Sequence, residues 1–273
     1  MHMRLELLGS GAVRANPRRG GTAQLVRLGE RLILVDAGRA AVQALARTGA
    51  AVESIERVFI SHLHFDHICD LPLLMLLGWN NGRSAALPLV GPAGLAHFID
   101  RAQEAYRDDI ASRKAHGKDT AGLACQVQEL TDPGVVYGDE DVTVHAIFTE
   151  HAGLANVSYR FDAGVRRLAI LSDTAPDPAL VAFCRDVDLL VCECSGTREF
   201  LRQRPWGHWH MDPPAIAELA RESGARRVVL KHLVMEDWVD DPHLAEKLAH
   251  DVTRGYAGPV DAGYDGLVID LPG

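Results

Sequence analysis

The chain has 273 residues, 47% hydrophobic and 24% charged, and its 37 acidic side chains outnumber 28 basic ones for a formal net charge of −9. That length buries a full core in one large domain or two small ones, the composition is that of an ordinary globular protein, and the acidic balance argues against a general nucleic-acid binder, which carries a basic face. No apolar run approaches a membrane span, and the N-terminal stretch lacks the apolar core of a signal peptide, so the expected compartment is the cytoplasm.

Residues 4–8 read as a strand, followed by the polar, Gly-rich stretch 9–21. The patterns at 23–28 and 31–36 predict a hairpin turned by Gly29-Glu30. Asp36-Ala37-Gly38 breaks the pattern, and a helix over 39–48 is ended by Gly49. A strand at 57–61 runs into a histidine-rich segment, and 71–78 is a strongly apolar helix. A strand at 88–92 and a helix over 93–106 precede the polar residues 107–122, which read as a helical flap or a mobile loop. Strands are predicted at 125–130, 142–148, 156–161 and 167–172, the last two joined as a hairpin around Asp162-Ala163-Gly164. The rhythm then changes to helix 179–185, strand 187–192, helix 213–223, strand 227–231, helix 242–254 and a closing strand 266–271. Two successive blocks of strands and helices, with no short repeat and no linker, predict one domain over 1–273 in which two sheets pack together with helices outside.

The five cysteines, Cys69, Cys125, Cys184, Cys192 and Cys194, are odd in number and irregular in spacing, which fits reduced cytosolic thiols rather than a disulfide framework. Successive side chains of a strand point to opposite faces, so Cys192-Glu193-Cys194 reads as two small side chains buried on a core strand rather than as a metal site.

The segment Ser61-His62-Leu63-His64-Phe65-Asp66-His67 puts three imidazoles and one carboxylate within six consecutive residues directly after the apolar run Val58-Phe59-Ile60. Imidazole nitrogen and carboxylate oxygen are the donors that borderline divalent ions such as zinc take, and a strand that stops short of such a turn holds them on a rigid edge. A solvated polar turn has no use for three histidines. Four donors are too many for a single ion that keeps an open position, so His62 and His64 are read as aimed at one ion and Asp66 and His67 at a neighbour. The remaining donors come from distant strand ends: His151 in Thr149-Glu150-His151-Ala152-Gly153, Asp173 in Ser172-Asp173-Thr174, and His232 after Val228-Val229-Leu230-Lys231. Singly, each has a plain reading as a surface histidine or a helix cap. Four apolar strands that all end in metal-type donors point to one site.

On these residues the chain resembles the metallo-β-lactamase fold superfamily, whose signature His-x-His-x-Asp-His stands here as His62-Leu63-His64-Phe65-Asp66-His67. Leu34-Val35-Asp36-Ala37-Gly38 is similar to the family's early strand and turn, and 228–233 to its final histidine motif. Within the superfamily the chain resembles the ribonuclease Z and arylsulfatase-like branch, through Asn16-Pro17-Arg18-Arg19, Gly91-Pro92-Ala93-Gly94 and His210-Met211-Asp212-Pro213. The resemblance implies an α/β fold, an αββα sandwich of two mixed sheets with the site along one edge. It implies two divalent metal ions, zinc by default, with manganese or iron accepting the same ligands. His62, His64 and His151 would hold the first ion and Asp66, His67 and His232 the second, with Asp173 bridging them.

Two such ions, roughly 3.5–4 Å apart, trap a water and lower its pKa from about 16 toward neutrality, so that hydroxide attacks a phosphorus or carbonyl centre while the second ion steadies the substrate oxygen. Asp66 is expected to orient the nucleophile or take its proton as well as ligate. His210, on a loop flanked by tryptophans, is the expected acid for the leaving group, with His208 as the competing assignment. Glu193 and Ser61 are expected to hold ligand imidazoles in one tautomer, and Trp206 and Trp209 to wall the pocket or pack on the adjacent helix.

The expected function is therefore a dinuclear metal hydrolase acting on a small phosphodiester or similar ester. Transfer RNA is disfavoured as a substrate: the ribonuclease Z family often carries a gripping arm between its third histidine and its bridging aspartate, and here 152–172 holds a hairpin. A lactonase, thioesterase or arylsulfatase would use the same metals. A non-enzymatic metal-binding module is disfavoured because no ligand is lost, and a redox role because His64 stands where diiron relatives carry a carboxylate. A homodimer stays open.

Overall fold

The computed structural model describes residues 2–234 and 243–272. Six strands, β1 (Met3–Gly9), β2 (Ala23–Leu28), β3 (Arg31–Val35), β4 (Ile55–Phe59), β5 (Leu87–Pro92) and β6 (Cys125–Leu130), build most of one sheet. The next seven, β7 (Gly134–Gly138), β8 (Thr143–Phe148), β9 (Val157–Ala163), β10 (Arg166–Ile170), β11 (Leu189–Glu193), β12 (Val228–Lys231) and β13 (Val260–Ala262), build the other. The closing strand β14 (Leu267–Leu271) crosses back to pair antiparallel with β1, which makes each sheet seven-stranded.

The two sheets share one plan. From β14 through β3 the first is antiparallel, and from β3 through β6 it is parallel. The second is antiparallel from β7 through β10 and parallel from β10 through β13. Because two antiparallel steps restore direction, β8, β10, β11 and β12 all run the same way and deliver their C-terminal ends to one edge, where α/β sheets bind ligands.

Side-chain alternation explains the layering. Along β3, Ile33 and Val35 face the second sheet while Leu32 and Leu34 face the helices. Between the sheets lie Leu5, Leu7, Val26, Phe59, Tyr159, Phe161, Ile170 and Val191, among others. Phe59 stands at its centre, its ring 5.0 Å from Tyr159 and 5.6 Å from Phe161; such aromatic pairs contribute about 0.5–1.5 kcal/mol beyond area burial.

On the outer face of the first sheet run α1 (Ala41–Arg47), α2 (Phe65–Ile68), α3 (Leu71–Asn81), α4 (Leu95–Ala105) and α5 (Arg107–Ala115). With the second sheet go α6 (Ala179–Phe183), α7 (Arg198–Arg202), α8 (Pro213–Ser223) and α9 (Leu244–Thr253). The bounds of α8 follow from its ends: Asp212 accepts from the Ala215 N–H at 2.9 Å, Pro213 sits where no N–H is required, and Gly224 closes it in left-handed backbone at φ 72°.

The αββα arrangement expected from the sequence is the one observed. Four elements escaped the sequence reading: α2, only four residues long within the histidine-rich turn, and β7, α7 and β13. β7 is mostly exposed and carries glycine at both ends, α7 is five residues long, and β13 is three, so none offers a periodic apolar signal. Residues 107–115 are helical, with no buried side chain. Pro242, the expected start of the last helix, lies outside the described residues. Cys192 and Cys194 are buried in the apolar layer between the second sheet and its helices, and all five cysteines are unpaired. Among the described residues no helix is long and apolar enough to cross a membrane.

Candidate metal centre

β4 stops at Phe59, and the Ile60 N–H still donates to Val90 O at 2.8 Å. The chain then turns through the histidine-rich segment into α2. The second sheet pins the start of that turn: the Tyr159 hydroxyl donates to Ile60 O at 2.7 Å, and the Val157 N–H donates to Ser61 O at 2.9 Å. Asp36, at the end of β3, fixes both ends of the segment. Its buried carboxylate accepts from Ser61 N (2.8 Å), Ser61 Oγ (2.9 Å) and His67 Nδ1 (2.9 Å). It does so from left-handed backbone at φ 60°, which costs a residue with a Cβ about 1–2 kcal/mol. Gly38 is required beside it, because a Cβ there would collide with the Asp66 carbonyl oxygen.

The remaining donors stand at the C-terminal ends of strands: His151 after β8, Asp173 after β10, Glu193 at the end of β11 and His232 after β12. His232 also holds left-handed backbone, at φ 53°. The Asn156 amide donates to Thr149 Oγ1 (2.6 Å) and Asp173 O (2.7 Å), and Ser172 Oγ donates to Asn156 Oδ1 (2.5 Å) while lying 3.3 Å from His62 Nδ1. Glu193, fully buried, accepts from the Met211 N–H (2.9 Å), from His210 Nδ1 (3.1 Å) and from Ser195 Oγ (2.9 Å). Ser195 Oγ in turn lies 3.2 Å from His232 Nδ1.

These supports bring the predicted donors together. His62 Nε2 and His64 Nδ1 are 2.9 Å apart, and His64 Nδ1 and His151 Nε2 are 3.3 Å apart. Asp173 Oδ2 lies 2.9 Å from His232 Nε2, 3.5 Å from His67 Nε2, 3.7 Å from His151 Nε2 and 4.0 Å from His62 Nε2. Asp66 Oδ2 lies 3.3 Å from His232 Nε2 and 3.8 Å from His67 Nε2. The donor atoms of His62, His64 and His151 fall within 4.8 Å of one another, as do those of Asp66, His67 and His232. Asp173 is the group that touches both sets.

The electrostatics differ between the sets. Burial, reinforced by the neighbouring His67, holds His62 well below the usual histidine range, and burial also lowers His64 and His151. These three rings are neutral at pH 7 and keep a lone pair free for a ligand bond. Burial would lower His67 and His232 too, but Asp173 and Asp36 raise His67 to about 10, and Asp173 and Asp66 raise His232 to about 9. Burial pushes Asp66 up, yet the His232 hydrogen bond and the His67 charge bring it to about 2, and His232 and His67 hold Asp173 well below the carboxylate range against its burial. Two buried carboxylates thus stay ionised and gather positive charge around them, a demand that divalent cations meet. The orphaned atoms agree: among the described residues His67 Nε2 and Asp173 Oδ1 are buried without a hydrogen-bond partner, which is costly unless a ligand engages them.

The cluster forms the floor of a cleft of about 380 Å³, lined also by Val13, Arg14, Phe65, Trp206, Trp209, His210 and Val234. Trp206 and Trp209 both line the cleft, and Trp206 also packs on Phe200 of α7. His210 lines the cleft and stacks on His232 at 5.8 Å, whereas His208 is exposed and lines a neighbouring groove. Burial pushes His210 down, and the charge and hydrogen bond of Glu193 more than offset it, so the ring sits above the usual histidine range. None of the residues lining the cleft comes from 93–122.

Sequence similarity agrees with this geometry. Residues 31–233 match the family model described as the β-lactamase superfamily domain. The chain belongs to the β-lactamase superfamily, in its ribonuclease Z branch. It is 32% identical over 237 residues to a protein named ribonuclease Z from Mycobacterium sp. (strain KMS), covering 83% of this chain and 82% of the relative. It is 29% identical to the ribonuclease Z of Mycobacterium avium (strain 104), over 97% of this chain and 98% of the relative. Among solved structures, human tRNase Z, short form, shares the fold with a TM-score of 0.79 at 23% identity, covering 98% of this chain and 99% of that one. The branch makes this protein a metal-dependent, phosphodiesterase-like hydrolase.

The supporting residues Asp36, Asn156, Ser172 and Ser195 were not singled out from the sequence as parts of the site. The signal was present for Asp36, an aspartate at the end of an apolar strand. It was weak for the others, which are common polar residues near strand ends.

Proposed function

We propose that the hydrolase cleaves a phosphodiester, and that His62, His64 and His151 would hold one zinc ion and Asp66, His67 and His232 a second, with Asp173 available to both. The bound ions supply an activated water and charge at the oxygen that becomes negative. The chain's own residues orient that chemistry. Asp36 and Ser61 hold the His67 and His62 rings, Glu193 and Ser195 hold His210 and His232, and the walls of the cleft limit access of bulk water. His210, fixed through Nδ1 by Glu193 and facing the cleft, gives the leaving oxygen its proton. The single observation that carries this reading is the position of Asp173 Oδ2, within 4.0 Å of Nε2 atoms from four histidines on three separate segments.

The substrate we favour is small. A cleft of about 380 Å³ suits one nucleotide-sized group, and residues 157–170 between His151 and Asp173 are filled by the hairpin of β9 and β10 rather than an arm. One observation favours RNA instead: the match to proteins named ribonuclease Z runs over nearly the whole chain. Metal analysis of the purified protein, with hydrolysis of bis(p-nitrophenyl) phosphate and of a short RNA before and after chelation, tests both readings. About two ions per chain and chelator-sensitive turnover are expected. A metal-loaded protein that leaves the ester and the RNA intact refutes the phosphodiester reading. Cleavage of the RNA alone selects the second substrate.

A further inference from the structure

The cleft has a rim that the metal donors do not account for. Residues 11–20, between β1 and β2, form a loop closed on itself: the Gly11 N–H donates to Gly20 O at 2.9 Å, and Thr22 Oγ1 donates to Gly11 O at 3.0 Å. Asp265 clamps its two ends, accepting from Ser10 N (2.9 Å), Ser10 Oγ (2.7 Å) and Gly20 N (2.5 Å). Arg39 reaches beneath and donates to the backbone carbonyls of Arg14 (3.2 Å) and Arg19 (3.0 Å). The backbone that carries Arg14 is thus fixed from several sides. Its guanidinium has no hydrogen bond or ion pair among the described residues, and it lines the cleft.

Across the first turn of α2, Phe65 lines the same cleft with 59% of its surface exposed, and Val13 beside Arg14 is 46% exposed. Single exposed apolar residues are ordinary on a surface. Here an aromatic ring from α2 and, from the loop, an aliphatic side chain and a guanidinium without a partner among the described residues meet at the mouth of one polar site. A guanidinium fork matches a phosphate in two hydrogen bonds, and an exposed aromatic face takes a flat ring.

We propose that Arg14 and Phe65 determine substrate specificity, Phe65 by stacking on the base of a nucleoside and Arg14 by pairing with a second phosphate that the same nucleoside carries and that is not cleaved. The proposal rests on the phosphodiester reading for its purpose and deepens it: the preferred substrate bears a nucleobase and an anion beyond the scissile group. The preformed loop matters, because an arginine whose backbone is already fixed loses less freedom on pairing.

The test is calorimetric titration of the full, metal-loaded chain with thymidine 3′,5′-bisphosphate and with thymidine 5′-monophosphate. The parent protein is expected to bind the bisphosphate about tenfold more tightly, and Arg14→Gln to bring the two within about twofold. Arg18→Gln, on the same loop but outside the cleft lining, is expected to keep the gap. Phe65→Ala should weaken both nucleotides by about 5- to 20-fold, with Phe65→Tyr recovering most of the loss. Equal affinities in the parent, a gap that survives Arg14→Gln, or parental binding by Phe65→Ala overturns the proposal. Hydrolysis of thymidine 5′-(p-nitrophenyl phosphate) by the same preparation separates the two failures. Turnover without an Arg14-dependent gap sinks the rim alone, whereas a gap without turnover sinks the phosphodiester reading and keeps the rim.

Discussion

From the first sheet the candidate site takes four donors on one short turn, His62, His64, Asp66 and His67, held at both ends by the single carboxylate of Asp36. From the second sheet it takes His151, Asp173 and His232, each on a different strand end, held by a distributed set that includes Asn156, Ser172, Glu193 and Ser195. The first half is a local device whose geometry follows from one turn. The second exists only because β8, β10 and β12 run in the same direction within one sheet. A local half is vulnerable at its one anchor; a distributed half spreads its support over several groups and ought to degrade more gradually.

Removing a donor should have the largest effect on either half. His64→Ala is expected to lower bound metal from about two ions per chain to about one and hydrolysis of bis(p-nitrophenyl) phosphate by ~10³-fold or more; metal analysis alongside kinetics checks it, and undiminished turnover would remove the first half from the site. His210→Ala should cost about 10²-fold or more in kcat with metal content unchanged, because it removes a proton donor and no proposed ligand.

The anchors come next and test the comparison itself. Asp36→Asn, which replaces one accepting oxygen by an amide, is expected to weaken metal binding by about 10- to 100-fold with the far-UV circular dichroism retained. Glu193→Gln is expected to weaken metal binding by only about twofold and to lower kcat by about 10-fold, because Ser195 still lies against His232 and the glutamine oxygen can still accept from the Met211 N–H. Equal losses in metal affinity from the two would erase the distinction between a local and a distributed half. The smallest effect is reserved for His208→Ala. That ring is exposed and outside the cleft lining, so turnover and stability should stay within about twofold. A large loss there would reassign the acid.

Much of this is legible in the sequence. The hairpin of β2 and β3, the apolar helix α3, and the capped helix α8 follow from alternation, apolar density and the Asp212-Pro213 and Gly224 signals. The seven donors were legible because metal chemistry restricts residue type and because each lies just past an apolar strand. β7, α7 and β13 were not, since short exposed elements are set by their neighbours and not by their own periodicity. Nor could the sequence choose between His208 and His210. Two histidines two residues apart on an irregular loop carry the same local signal, and only the buried carboxylate of Glu193, seventeen positions upstream of His210, draws one of them inward.

The amino-acid order alone determined which groups are candidate metal donors and the strands on whose ends they sit, because donor type and hydrophobic period are properties of short stretches of chain. Tertiary structure decided which donors share an ion-sized space, which carboxylates and hydroxyls hold each ring, and that Arg14 and Phe65 meet at the mouth of the cleft. Those outcomes depend on the direction and pairing of strands far apart in the chain, and on the opposite charges they bring together, which raise His67 and lower Asp173 against the effect of burial. No local pattern encodes either.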